Sequence, residues 1–108
     1  MMSNTLSQSV LEEIAKKVAE ASKAASVVLF GSRAQGVADD QSDVDLALVF
    51  DDPQAMAAGV RHAHRILWPR AFPVDIVPIT SEALRRGNTL LAREIARTGV
   101  VLYDRTAA

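Results

Sequence analysis

The sequence predicts an α/β domain, a sheet of about four strands with helices covering its faces. Three observations carry this. Short apolar, β-branched runs alternate with segments of helical period. The strongest run, residues 43–50 (DVDLALVF), is apolar on both faces once past its leading acids. The next strand follows it through a helical segment, and such a crossover joins parallel neighbours.

The elements follow in chain order. One amphipathic helix is expected within residues 7–24. Val10, Leu11, Ile14, Val18 and Ala21 recur on its apolar face, and it runs to about Ser22. Ser9 followed by Glu12 forms a capping box, with Ser7 as an alternative cap. The face carrying Glu13, Lys16, Lys17 and Glu20 is solvated. Residues 26–30 (SVVLF) form a short buried strand that stops at Gly31, and residues 31–36 (GSRAQG) suit a single helical turn between glycines. A polar loop, 37–42, leads to the second strand, which ends at Asp51, Asp52 and Pro53. A second helix spans 54–68, marked by Met56, Val60, Ala63 and Leu67 and stopped by Pro69. Residues 73–79 (PVDIVPI) make the third strand, 81–86 and 89–98 two further helices, and 100–103 (VVLY) the last strand. Residues 1–108 are expected to form one domain.

Composition narrows the class. Hydrophobic residues make up 49% of the 108 and aromatics only 5%, so Ala, Val, Leu and Ile must build the core. Cysteine is absent, which excludes disulfides and cysteine-ligated zinc and fits a reducing cytoplasm, the expected location. No apolar stretch approaches the ~18 residues needed to span a bilayer, and the amino terminus lacks the pattern of a signal peptide. With 12 basic and 13 acidic residues the net charge is −1, which disfavours nucleic acid as a partner.

Residues two apart on a strand point the same way. Asp43 and Asp45 therefore share a face with Ala47 and Val49, opposite Val44, Leu46, Leu48 and Phe50, and Asp75 shares one with Val77 and Ile79. If the two strands pair in parallel, Asp75 lies beside Asp43 and Asp45. Carboxylates within ~6 Å repel by roughly 3 kcal/mol per pair at an effective dielectric near 20. Stability alone would not select that arrangement. A hard divalent cation removes the conflict, because Mg²⁺ prefers carboxylate and phosphate oxygen. Two such ions ~3.5–4 Å apart can clamp the attacking and leaving oxygens of a phosphoryl displacement.

Gly31-Ser32 stands where a strand meets a helical turn. Glycine there lets the backbone approach a ligand, and free N–H groups favour an anion; equally, Gly31 could be a turn residue and Ser32 a helix cap. The spacing bears on the choice. Gly31-Ser32, ten residues, then Asp43-Val44-Asp45 resembles the signature of the DNA polymerase β-like nucleotidyltransferase superfamily. GSRAQG, SDVDLALVF, VDIVPI and the closing GVVLYDR are similar to the minimal nucleotidyltransferases (MNT), the antitoxins that pair with HEPN toxins. The resemblance runs from about Val27 to Tyr103. Gln35 departs from it, standing where such loops often carry a second arginine.

The resemblance implies a nucleotidyltransferase fold with a mixed sheet. It also implies ATP as substrate, two Mg²⁺ ions (Mn²⁺ as an alternative) and a cognate HEPN toxin as partner. By it, Gly31 and Ser32 hold the nucleotide phosphates, Asp43 and Asp45 bind both metals, and Asp75 binds the catalytic metal and helps deprotonate the attacking hydroxyl. Arg33 either contacts phosphate or pairs with Asp39 or Asp40. The implied reaction is transfer of AMP to a hydroxyl of the toxin, a tyrosine, making this chain an AMPylating antitoxin. Two alternatives stand beside it. One is an antitoxin that neutralises by contact alone; the other is a small-molecule nucleotidyltransferase, for which 108 residues leave no acceptor-binding domain. His62 and His64, two apart on a helix, diverge by ~200° and cannot chelate one metal from one face. Arg85, Arg86, Arg93 and Arg97 are expected near helix C-termini, and Trp68 and Tyr103 in packing roles.

Overall fold

The computed structural model describes residues 8–31, 34, 44–67 and 74–105. The Ser7 cap, Ser32, Arg33, Gln35, the 37–42 loop, Asp43, Trp68, Pro69 and Pro73 lie outside them. In chain order the elements are α1 (Gln8–Ser22), β1 (Ser26–Phe30), β2 (Val44–Phe50), a 3₁₀ turn (Pro53–Ala55), α2 (Met56–Ile66), β3 (Val74–Thr80), α3 (Ser81–Arg86), α4 (Leu90–Thr98) and β4 (Val100–Asp104). The sheet order is β3-β2-β1-β4. The β2–β3 pair is parallel and the other two pairs are antiparallel, so the sheet is mixed.

The helices follow from local chemistry, with several corrections to the sequence reading. Ser9 is not the cap of α1, because Gln8 is already helical. Glu12 is engaged one turn back instead, its Oε2 accepting from Gln8 Nε2 at 3.0 Å. Nor does Val10 face the core: it is 42% exposed, and the buried stripe runs through Leu11, Ala15, Val18, Ala19 and Ser22. The small residues in that stripe let α1 approach the sheet closely. The 54–68 helix is shorter than expected. Asp52 Oδ1 accepts from Gln54 N at 2.9 Å, and with Pro53 this closes a tight 3₁₀ turn before α2 begins at Met56. Thr80 ends β3 and caps α3, accepting from Ala83 N at 3.0 Å; Thr89 stands outside α4 as its cap, accepting from Ala92 N at 3.1 Å.

The sheet is covered on both sides, as the two apolar faces of the second strand required. Val44, Leu46, Leu48 and Phe50 pack with Val27 and Leu29 of β1 against Leu11, Ala15 and Val18 of α1 and Ala63 of α2. On the other side Ala47 and Val49 pack with Val28, Phe30 and Ile79 against Ala92 and Ile95 of α4. At the trailing end of β2, Asp51 accepts from Ser81 Oγ and Arg105 Nη2, both at 2.9 Å. Side chains this exposed, 54% and 61% for the ion pair, contribute little to stability.

Gly59 marks a close contact of α2 with β2 and the end of α1. A Cβ there would lie 2.6 Å from Phe50 Cζ and 2.8 Å from the Ser22 carbonyl oxygen. In an open helix Gly→Ala stabilises by about 1 kcal/mol. Here the expected sign reverses, because overpacking costs about 1–3 kcal/mol. Gly59→Ala should lose about 1–2 kcal/mol in urea unfolding. A gain would mean that the Phe50 ring and the end of α1 yield freely.

Candidate active site

The site is built where three strand ends meet. The parallel register matches Val44 with Val74 and Asp45 with Asp75, so the leading ends of β2 and β3 coincide. Paired residues in parallel strands point to the same face, and adjacent strands lie ~4.8 Å apart. Asp45 and Asp75 therefore stand side by side on the face that continues into Ala47, Val49 and Ile79. Asp45 is half-buried and Asp75 exposed. At ~5 Å the two charges repel by about 1 kcal/mol in full solvent and about 3 kcal/mol at an effective dielectric of 20.

The antiparallel strand β1 arrives from the opposite direction, with Phe30 matched to Asp45. This delivers Gly31 beside the carboxylate. Gly31 has φ 81°, in the left-handed region, and a Cβ on it would lie 2.5 Å from Asp45 Oδ2. Two requirements therefore select glycine: the backbone angle and the approach of the carboxylate. The Gly31 N–H donates to Thr98 Oγ1 at 3.4 Å, and that hydroxyl donates to the Glu94 carbonyl at 2.9 Å. The end of α4 thus abuts the turn.

Gly31, Asp45 and Asp75, three of the six residues singled out from the sequence, are brought together; Ser32, Arg33 and Asp43 lie outside the described residues. Among the described residues no three His, Cys, Asp or Glu side chains gather into a metal-binding group. His62 is exposed and His64 half-buried on α2. Three of the four arginines are helix-end cations. Arg85 and Arg86 lie in the last turn of α3 and Arg97 in that of α4, while Arg93 Nη1 donates to Gly87 O, just past α3, at 3.2 Å. Arg86 and Arg97 also pair with Glu82 and Glu94, each at 2.7 Å. Tyr103 is half-buried against the α1 side of the core. Thr98 was not foreseen, because no local pattern links it to a glycine 67 positions earlier.

The donor set suits a hard divalent cation. It is all oxygen, two carboxylates wide, with a glycine cradle that a side chain would fill. Such an arrangement, at the edge of a mixed sheet beside Gly31, suits an enzyme acting on phosphate groups. The chain belongs to the nucleotidyltransferase domain family, which it matches over residues 11–101. The family implies a nucleotide substrate. No curated protein matches the chain. Among solved structures, a toxin–antitoxin complex with AMP-PNP is 25% identical, with a TM-score of 0.61 over 88% of this chain and 74% of that one. A Sulfolobus solfataricus protein assigned as a nucleotidyltransferase is 22% identical, TM-score 0.59, over 91% of this chain and 84% of that one. The toxin–antitoxin MntA–HpeT, in a form with two aspartates changed to glutamate, is 19% identical, TM-score 0.58, over 94% and 76% respectively. The last two show the fold. Among the described residues no helix is long and apolar enough to cross a membrane.

Proposed function

We propose that this nucleotidyltransferase is an antitoxin that transfers AMP from ATP to a hydroxyl, a tyrosine, on a cognate HEPN toxin. The observation that carries the reading is the Asp45–Asp75 register with Gly31 packed against it. The likeness to a toxin–antitoxin complex with AMP-PNP, an ATP analogue, supports both the nucleotide and the kind of partner. In this reading Asp43, Asp45 and Asp75 hold two Mg²⁺ ions, and Ser32 holds phosphate with the backbone of the Gly31 turn. Arg33 either joins them or pairs with Asp39 or Asp40. Bound there, Mg²⁺ would offset the charge of carboxylates and triphosphate and stabilise the charge developing at the α-phosphate.

In the reaction the acceptor oxygen forms a bond to the α-phosphorus while the bond to the β-phosphate oxygen breaks. Pyrophosphate leaves, and the hydroxyl proton passes to the Asp75 carboxylate and on to solvent. The protein contributes chiefly by positioning, with reacting atoms ~3–3.5 Å apart. Intact-mass spectrometry of the toxin, after incubation with this chain and ATP·Mg²⁺, tests the reading. The expected result is a gain of one or more AMP units, abolished by Asp75→Ala. No gain, with full neutralisation by an Asp43→Ala, Asp45→Ala double variant, would replace transfer with neutralisation by contact.

A further inference from the structure

We propose that Thr98 is a positioning residue: it holds the Gly31 turn and, through it, the Asp45 carboxylate. This role rests on the function proposed above but is testable apart from it. Thr98 closes α4, a helix anchored by the buried Ala92 and Ile95. A threonine hydroxyl has one hydrogen, and here it is directed at the Glu94 carbonyl, 2.9 Å away. The oxygen is thereby left as an acceptor, and the Gly31 N–H supplies the donor at 3.4 Å. Gly31 in turn sits so close to Asp45 that no Cβ fits between them, and Asp45 is the register partner of Asp75.

Two consequences follow from that chain of contacts. The Gly31 N–H is directed at the end of α4, so Thr98 sets the orientation of the glycine's backbone. A shift of the turn is also transmitted to one of the two carboxylates. At 3.4 Å the bond is longer than the ~2.7–3.2 Å of ordinary N–H···O bonds, so it contributes little to global stability and acts on the placement of Gly31. Losing it should disturb the site more than the fold.

The test compares Thr98→Ser, Thr98→Val and Thr98→Ala in the full chain, by titration with Mn²⁺ alone, amide exchange at Gly31, and kcat and KM for ATP. Thr98→Val and Thr98→Ala are expected to weaken Mn²⁺ binding about 3–10-fold and to speed Gly31 exchange, with kcat lowered and KM for ATP within about twofold. Thr98→Ser should restore all three. Should Thr98→Val fail to fold, Thr98→Ala, which suits a helix end, carries the same comparison. A serine variant as weak as valine would assign the effect to the methyl group and overturn the role. So would unchanged or tighter Mn²⁺ binding in both the Val and Ala variants. If the parent binds Mn²⁺ yet adds no AMP to any toxin, the proposed function fails, while the titration and exchange data still decide the role of Thr98.

Discussion

Asp75→Asn is expected to reduce AMP transfer by at least ~10³-fold while leaving the metal-free protein as stable as the parent, or more so. The two halves of this result have separate origins. In the proposed reaction transfer falls because an amide is a poorer ligand for a hard cation and cannot take the acceptor's proton. Stability holds because Asp75 is exposed and stands beside Asp45 in the register, so removing its charge relieves a repulsion. Asp45→Asn should abolish transfer likewise. Melting curves in EDTA and in Mg²⁺·ATP separate the effects. The parent should gain stability with Mg²⁺·ATP by mass action, and Asp75→Asn should not. A clear loss of stability in EDTA would make the carboxylate structural. Equal affinity of the parent for ATP with and without metal would sink the two-metal reading.

Gly31→Ala should cost transfer about 10–100-fold, the range typical of groups that orient a ligand rather than donate to the metal. It should also cost about 1–2 kcal/mol of stability, since alanine resists a left-handed backbone. The new methyl would meet Asp45 Oδ2 at 2.5 Å, so the carboxylate must move from its place. Gly31→Asn separates the two demands on this position. Asparagine tolerates positive φ far better, yet carries the same Cβ. The Asn variant should therefore recover stability relative to alanine and stay as poorly active. If it regains activity as well, the glycine answers only a conformational need.

Some of this molecule was legible in its residues. The order of strands and helices followed from apolar spacing, and the two-sided burial of β2 from its alternation, Val44-Leu46-Leu48-Phe50 against Ala47-Val49. The helical crossover implies parallel β2 and β3, which places Asp75 beside Asp45, as the register has it. Where local reading failed, competing local chemistry won. Pro53 and the Asp52 cap turned the start of the second helix into a 3₁₀ turn, and α1 already includes Gln8, ahead of Ser9.

Periodicity is a short-range signal. It states which side of an element is apolar, and hence which acids share a face. It does not state which elements lie next to one another or how closely they approach. Local residue patterns account for the alternation of elements and for the acids at the leading ends of β2 and β3. Long-range packing makes β1 run antiparallel to β2 with Phe30 matched to Asp45, which presses Gly31 against that carboxylate. The same packing brings Thr98, 67 residues later, onto the Gly31 amide and passes Gly59 under Phe50. These contacts depend on packing at ångström scale between segments distant in the chain, where one added methyl group is enough to forbid the arrangement.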